Sequence, residues 1–369
     1  MMRTERVLVV QRPGRAELRT QTVPEPLPEG AFDVDTVYSG LSAGTELSFF
    51  KGSHPNLTAG WNPELGLFRG TDQPTGYPVL RWGYMQVGRV VASRSPSPAP
   101  DDLVAMTYGH RSGYRGDPLR DRVVPVPEDL NPLLGIYVAH MGPICANGLL
   151  HAGADQHGAD VRSLADGVCG RKVAITGAGV VGLLTALFAR MHGAEDVVLI
   201  DPTKARRVVA ESLGFAALDP DAEDTAVLLK TRWRHGPADR GADVVFQCRG
   251  QASSLALALR LLRPQGTVID LAFYQDGADA VRLGEEFHHN GLAIRCAQIG
   301  RVPRGLSHSW DRERLSAETV AMLRAEGETI LKHVITDVLP VERAPELLTE
   351  IAERRRHVVQ AVFTFDGTA

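Results

Sequence analysis

The sequence has few cysteines, no long apolar run and no marked excess of charge of either sign. Its four cysteines form no Cys-x-x-Cys pair and lie far apart, at Cys145, Cys169, Cys248 and Cys296. That spacing argues against a disulfide framework and against a clustered zinc site. No apolar run approaches the ~20 residues that a membrane-spanning helix needs. The formal net charge of −4 gives no electrostatic reason to expect nucleic acid or an anionic membrane as a partner.

The beginning of the chain also has too short an apolar segment for a secretion signal. Together with the scattered cysteines, this absence predicts a protein of the reducing cytoplasm. Hydrophobic residues make up 44% and charged residues 23% of the 369 positions, which is typical of a soluble globular protein. A chain of this length suits two domains better than one.

The most informative stretch that is present lies between positions 171 and 201. A short apolar run typical of a buried parallel strand is followed by Gly177, Gly179 and Gly182, and then by a helix-forming run. Gly177 permits a tight turn, Gly179 lets a pyrophosphate approach the backbone, and Gly182 lets helix and strand pack closely. The helix N-terminus at Val180 and Val181 offers N–H groups to the phosphates. This pattern predicts dinucleotide binding; a glycine-rich turn in an unrelated α/β domain is the alternative.

An acidic residue, Asp201, stands at the tip of the next predicted strand, residues 197–200. A carboxylate there can accept hydrogen bonds from both hydroxyls of the adenosine ribose. A 2′-phosphate would face this negative charge, so the residue favours NAD over NADP. Arg206 and Arg207 follow closely and complicate the choice. Either one could stack on adenine or reach a 2′-phosphate.

Short β-type runs predominate up to about residue 152, and strands alternate with helices afterwards. In the first part we predict strands at 6–10, 34–38, 86–92 and 122–126, and loops at 41–56, 69–78 and 93–102. Residues 151–170 are polar and rich in small side chains, which indicates a connection between domains. In the second part we predict helices at 204–213 and 253–262, and strands at 242–248, 266–273 and 292–298. This alternation indicates a doubly wound parallel sheet, and the tail is predicted to return to the first domain.

Six segments resemble the medium-chain dehydrogenase/reductase superfamily, the zinc alcohol dehydrogenase-like proteins. They are SGLSAGTEL (39–47), GYMQVGRVV (83–91), TGAGVVG (176–182), GADVVFQCRG (241–250), LRPQGTVIDLAFY (262–274) and the tail 340–365. The resemblance implies an α/β fold in which a GroES-like β catalytic domain, residues 1–152 completed by 335–369, accompanies a Rossmann domain at 153–334. It also implies a homodimer.

The chain departs from this family at the catalytic zinc. Zinc-binding members have a Cys-Gly-Thr-Asp-type segment, a Gly-His-Glu segment, and a later Cys or acid. This sequence has Ala43-Gly44-Thr45-Glu46, Gly83-Tyr84-Met85 and Met141-Gly142 in those places. Alanine has no donor atom, and tyrosine and methionine are poor zinc ligands. We therefore expect no metal, and the pattern resembles a branch grouped with bacteriochlorophyllide-type and sugar or cyclitol dehydrogenases.

Without zinc, a hydrogen-bond donor must handle the charge or proton of the substrate oxygen. Thr45 matches the family hydroxyl that relays a proton between substrate and cofactor ribose, although it could merely cap a turn. Tyr84 fills a lost ligand place, where it could donate to a carbonyl or simply fill space. His140 precedes the third lost place, and His110 lies in a predicted cleft loop. Either histidine could act as an acid or base, or be structural.

Three further positions take their expected roles from the resemblance. Gly250 and Phe273 match positions that approach the nicotinamide half of the cofactor, and Arg249 beside them could contact substrate or pair with an acid. The expected activity is hydride transfer between NAD(P) and a small secondary alcohol or ketone, such as a polyol, an aminocyclitol or another biosynthetic intermediate. Reduction of an activated C=C bond and non-catalytic dinucleotide binding are the alternatives.

Overall fold

The structure is a computed structural model that describes residues 3–70, 76–275 and 277–365. The chain forms two compact units, one made of Met1–His140 with Ile335–Ala369 and the other of Met141–Val334. The first unit ends at His140 and not at residue 152, because the helix that follows packs with the second unit. No helix among the described residues is both long enough and apolar enough to cross a bilayer.

The strands and helices are numbered in chain order. The strands are β1 Arg3–Arg12, β2 Arg15–Val23, β3 Phe32–Leu41, β4 Ala59–Asn62, β5 Leu67–Gly70, β6 Gln86–Ser93, β7 Leu103–Met106, β8 Gly113–Gly116, β9 Val124–Pro125, β10 Lys172–Thr176, β11 Asp196–Ile200, β12 Ala216–Leu218, β13 Arg234–Gly236, β14 Asp239–Arg240, β15 Ala242–Gln247, β16 Leu262–Asp270, β17 Ala293–Cys296, β18 Ile335–Pro340 and β19 Gln360–Thr364. The α-helices are α1 Ala43–Lys51, α2 Met141–His157, α3 Val180–Met191, α4 Lys204–Ser212, α5 Thr225–Arg232, α6 Ala252–Leu261, α7 Arg312–His333 and α8 Ala344–Ala352. Short 3₁₀ turns lie at Pro55–Leu57, Pro132–Tyr137, Leu164–Gly167, Arg304–Leu306 and Val341–Arg343, with a π-type turn at Leu283–Phe287.

The first unit is built on a seven-stranded sheet in the order β18-β19-β3-β6-β7-β9, with β8 also paired to β3. Strand β19 runs antiparallel to β3, so the C-terminal tail contributes to this sheet. The hairpins β1-β2 and β4-β5 are separate two-stranded sheets. A core that includes Leu8, Phe50, Trp82 and Phe363 lies between the first hairpin, the sheet, α1 and α8.

Three local predictions need correction. Residues 41–56, predicted as a loop, contain α1, which buries Leu47 and Phe50 and ends at Gly52 in the left-handed conformation (φ +83°). The predicted strand 122–126 shrinks to the two residues of β9, because Pro125 cannot donate to a sheet. The predicted connection 151–170 begins with the end of α2. Part of the predicted loop 69–78 lies outside the described residues.

The second unit contains a six-stranded sheet in the order β12-β11-β10-β15-β16-β17, with every neighbouring pair parallel. The strands are nearly continuous apolar runs because helices cover both faces. Residues such as Val198, Val245, Val268 and Leu259 are buried between them. The doubly wound α/β fold predicted from the sequence is confirmed, and it brings the carboxyl ends of β10, β11, β15 and β16 to one edge of the sheet.

Candidate active site

The turn between β10 and α3 has the conformation that its glycine spacing predicts. Gly177 has a φ of +105°, and its N–H donates to the carbonyl oxygen of Ile200 at 2.8 Å. A Cβ atom on Gly182 would lie 1.8 Å from the carbonyl oxygen of Gly177, so no side chain fits there. A Cβ atom on Gly179 would meet only the Arg206 guanidinium, at 4.0 Å. The space in front of Gly179 is therefore open to a ligand.

The N-terminus of α3 faces this open space. Its N-cap residue, Gly179, supplies no side-chain cap, so the first amides of the helix are left to other acceptors. Gly179, Val180 and Val181 are only half-buried. An anion at this point would receive N–H donors together with the positive end of the helix dipole, an arrangement suited to a pyrophosphate.

Asp201 is enclosed, not open to a ribose. Its carboxylate is fully buried, with Oδ2 accepting from the N–H of Ala178 at 2.9 Å and Oδ1 from the N–H of Thr203 at 2.8 Å. On the same side, Nη1 of Arg206 lies 3.7 Å from Oδ2. The carboxylate thus braces the glycine turn, and the group that reaches the surface is the Arg206 guanidinium, about one-third exposed at 34%.

Arg207 is held away from this position. One of its guanidinium nitrogens donates to the carbonyl oxygen of Asp201 at 2.7 Å, and the other lies 2.6 Å from the carboxylate of Asp219. Both nitrogens are therefore committed to the protein. Of the two arginines that the sequence offers as contacts for adenine or a 2′-phosphate, the structure leaves Arg206 as the candidate.

The loops that follow β15 and β16 meet the glycine turn at the same sheet edge. A Cβ atom on Gly250 would lie 2.1 Å from the carbonyl oxygen of Phe273, and one on Gly177 would lie 3.0 Å from Cβ of Arg249. Glycine at position 250 thus allows the two loops to touch. Phe273 remains 37% exposed at this edge, where a bound cofactor could reach it.

A polar network that the sequence did not single out supports these loops. Thr176 donates to Oε1 of Gln247 at 2.6 Å, Nε2 of Gln247 donates to the Tyr274 oxygen at 3.0 Å, and that hydroxyl donates to Asp270 at 3.0 Å. Burial raises the pKa of Asp270. Gln247 also bonds both the N–H and the carbonyl of Arg249. The signal available in the sequence was the polar residue at the end of each buried strand.

In the first unit, two of the predicted catalytic side chains lie together. The Tyr84 hydroxyl is hydrogen-bonded to the Ser42 hydroxyl, and the Tyr84 ring lies 4.6 Å from the His140 ring, measured between centroids. Thr45 lies in the first turn of α1, where its N–H donates to the Ser42 carbonyl oxygen at 3.2 Å. We call Ser42, Tyr84 and His140, together with Thr45 from the first turn of α1, the hydroxyl cluster. Ser42 is the member that sequence analysis missed.

His110 is not part of the hydroxyl cluster, and its side chain is enclosed by protein. Only 1% of it is exposed, and its two ring nitrogens face the Ser39 hydroxyl at 2.7 Å and the Glu46 carboxylate at 2.8 Å. Its ring also packs edge-on against Trp82, with centroids 4.8 Å apart. The expectation of a side chain in an open cleft loop is therefore wrong, because this imidazole is a buried partner for Glu46.

The residues at the three lost ligand places do not fit zinc. Ala43 has no donor atom, Tyr84 is hydrogen-bonded to Ser42, and the methionines Met85 and Met141 are fully buried and are poor ligands for this metal. Within the described ranges, no group of three or more His, Cys, Asp or Glu side chains could hold a metal ion. A nicotinamide dinucleotide does fit, because the turn at Gly179 has both the space and the hydrogen-bond donors that it needs.

The known proteins that are similar to this chain include dehydrogenases and reductases. The family model for zinc-binding dehydrogenases matches residues 180–311. The chain is 27% identical over 313 residues to D-guloside 3-dehydrogenase of Escherichia coli, which covers 82% of this chain and 83% of that protein. It is 26% identical over 183 residues to D-xylulose reductase A of Aspergillus oryzae, covering 49% and 47% of the two chains.

Solved structures share the fold over nearly the whole length. A zinc-binding dehydrogenase from Sinorhizobium meliloti, solved with NADP bound, superposes with a TM-score of 0.70 at 21% identity, covering 98% of this chain and 99% of that one. The matching family and these relatives are all dehydrogenases or reductases, and the glycine turn on the parallel sheet is the feature such enzymes use to hold a nicotinamide dinucleotide. The chain therefore belongs to the medium-chain dehydrogenase/reductase superfamily and is an oxidoreductase.

Proposed function

We propose that this enzyme transfers hydride between a nicotinamide dinucleotide and a secondary alcohol or ketone of a sugar or polyol, and that it does so without zinc. The relatives named for D-guloside and D-xylulose chemistry support the substrate class. The observation that carries the proposal is the hydroxyl cluster. Hydrogen-bonding side chains occupy the segments where zinc-binding members place metal ligands, and the donor set there does not suit a metal.

The cofactor would be held by the glycine turn. The amides around Gly179, Val180 and Val181 suit the pyrophosphate, and the loop at Gly250 and Phe273 suits the nicotinamide half. When bound, the dinucleotide supplies or accepts the hydride. We propose NAD as the preferred form, because the negative charge of the buried Asp201 would repel a 2′-phosphate bound at the surface nearby. The Arg206 guanidinium, 3.7 Å from that carboxylate, supports NADP as the alternative.

The hydroxyl cluster would manage the substrate oxygen. In ketone reduction, hydride forms the new C–H bond and the carbonyl oxygen takes a proton from a side-chain donor; in alcohol oxidation the same steps run backwards. Tyr84 is the proposed donor, with Thr45 and His140 beside the path of the proton. A neutral donor preorganised at this oxygen contributes a factor of ~10²–10³ in rate, enough to replace part of what a metal would supply.

The proposal also covers the cellular compartment and the partners of the enzyme. Cys145, Cys169, Cys248 and Cys296 are free thiols, which supports the proposal of a reducing cytoplasm. A small-molecule substrate fits the dehydrogenase relatives. We propose a homodimer from the family resemblance alone, with neither nucleic acid nor a membrane as partner.

The direct test supplies NADH that carries deuterium on C4 to the purified enzyme, with a panel of keto sugars and keto polyols and a second set of compounds with an activated C=C bond. We expect deuterium on the carbinol carbon of one of these products. An aldose or polyol series differing at single carbons would then locate the reacting position. Transfer only to an activated C=C bond, with none to any carbonyl of the panel, would contradict the proposed substrate class.

A further inference from the structure

Ser42 stands at the N-cap of α1 but does not cap the helix with its side chain. An N-cap serine ordinarily accepts a hydrogen bond from the backbone N–H two or three residues later. Here only the Ser42 carbonyl oxygen takes part, accepting from the N–H groups of Thr45 at 3.2 Å and Glu46 at 2.9 Å. The Ser42 hydroxyl is bonded to the Tyr84 hydroxyl instead. The Ser42 hydroxyl is thus bonded to the phenol and not to the helix N-terminus.

We propose that Ser42 is a positioning residue that fixes the Tyr84 hydroxyl and stabilises it when its proton has been given to the substrate. This inference rests on the proposed function, in which Tyr84 is the proton donor. Departures from ordinary local rules are expected at functional sites, because such sites require a geometry that stability alone would not select. Ser42 is 5% exposed, so water does not compete freely for its hydroxyl.

The Ser42–Tyr84 pair can stabilise both the neutral phenol and the phenolate that remains after proton transfer. A serine hydroxyl can donate one hydrogen bond while accepting others. When Ser42 donates to Tyr84, the phenol keeps its own proton for the carbonyl oxygen. Hydride from the reduced dinucleotide forms the C–H bond, the π electrons of the carbonyl pass to its oxygen, and the phenolic proton forms the new O–H bond. The phenolate that remains accepts from Ser42 and lies beside the positive end of α1. The half-buried His140 is placed to help return the proton from solvent.

A double-mutant cycle separates this role from a general contribution to folding. Ser42→Ala should lower kcat about tenfold, the effect of losing one hydrogen bond, while KM for substrate and Kd for the dinucleotide change little. In the Tyr84→Phe background the same change should have no further effect, since there is no phenol to hold. Ser42→Thr, which keeps the hydroxyl, should recover most of the rate. An equal loss in both backgrounds would overturn the proposal.

A matched helix cap provides the stability control. Asp311 is the N-cap of α7, and its carboxylate accepts from the N–H of Arg314 at 2.8 Å. Asp311→Ala should lower the melting temperature equally in the wild type and in the Tyr84→Phe background. Ser42→Ala should lower it only where the Tyr84 hydroxyl is present, because the one bond it removes is the bond to that hydroxyl. If Ser42→Ala destabilises the protein equally in both backgrounds, the serine is a structural residue and the inference is wrong.

A second readout needs no substrate. The phenolate absorbance of Tyr84 can be isolated as the difference between the wild type and Tyr84→Phe during a pH titration. Ser42→Ala should move the midpoint of that ionisation upward by about one pH unit, the equivalent of a tenfold loss of phenolate stabilisation. An unchanged midpoint would refute the positioning role. If this shift is seen but no carbonyl of the sugar panel is reduced, the proposed function fails while the Ser42–Tyr84 pairing stands.

Discussion

At the scale of single residues, the hydroxyl cluster makes the sharpest prediction. Thr45→Val keeps the shape of the side chain and removes only its hydroxyl, and Tyr84→Phe removes only the phenolic oxygen. Each should depress turnover by ~10²–10³ while dinucleotide affinity stays near the wild-type value, because the glycine turn is untouched. Steady-state kinetics with a fluorescence titration of NADH measures both quantities. His140→Ala completes the set, and near wild-type turnover in all three variants would disprove the donor role.

The choice between NAD and NADP also depends on single residues. We predict that NADH binds more tightly than NADPH, because the negative charge of the buried Asp201 would repel a 2′-phosphate at the surface nearby. Arg206→Ala should weaken NADPH binding about tenfold or more and affect NADH less, since only the phosphate gains from the guanidinium. Arg207→Ala is the control, because its guanidinium is committed to Asp219 at 2.6 Å. Equal affinities in the wild type would show that Arg206, and not Asp201, decides the preference.

The burial of His151 predicts that the free energy of unfolding depends on pH. Burial is the main cause that lowers its pKa to about 4 in the folded chain, from an ordinary value of 6.5. The unfolded chain therefore binds more protons than the folded one between these values. This contribution to stability is complete above pH 6.5 and is lost as the pH falls toward 4, at up to about 1.4 kcal/mol per pH unit. Urea unfolding of the wild type and His151→Leu across this range measures the slope, which should be shallower in the variant. Parallel slopes would contradict the prediction.

At the scale of elements, two glycines of one turn should respond in opposite ways to the same change. Gly182→Ala would place Cβ 1.8 Å from the carbonyl oxygen of Gly177, so the turn must shift and stability should fall by ~1–3 kcal/mol. Gly179→Ala meets no backbone within 4 Å and should keep the fold, yet its methyl group intrudes where the pyrophosphate approaches. We expect dinucleotide affinity to drop at least tenfold there. Thermal melting and NADH titration distinguish the two, and unchanged affinity in Gly179→Ala would contradict the binding site.

The sequence predicts the βαβ unit well because its signals are local. Glycine spacing, two apolar runs and a terminal acid lie within residues 171–201, and the structure has β10, α3 and β11 there. Helix α1 was not predicted because its small residues, among them Gly44, are typical of a turn. Its helical spacing becomes clear only when Leu47 and Phe50 are seen packed in the core. The burial of Asp201 was not predicted either, because the backbone amides that bond its carboxylate are brought to it only by the folded turn.

At the scale of the whole molecule, the class of fold follows from patterns spread along the chain, whereas the hydroxyl cluster does not. The alternation of strands and helices after residue 171 predicts a parallel sheet by itself. Ser42, Tyr84 and His140 come from three distant segments, and only the folded first unit brings their side chains together. Tyr84 and His140 could be predicted because they lie at or beside places where a metal ligand is missing, but nothing in the pattern indicated that a serine would bond the phenol.

The proposal that this oxidoreductase works without zinc can be tested by measuring bound metal and activity in the same sample. The enzyme is purified without added metal, treated with a strong chelator and then assayed with its best sugar or polyol substrate while zinc is determined by elemental analysis. We expect far less than one zinc per chain and a turnover unchanged by the chelator, because Ala43, Tyr84 and Met141 cannot form a tetrahedral site. About one tightly held zinc per chain, with activity lost on its removal and regained on its return, would contradict it.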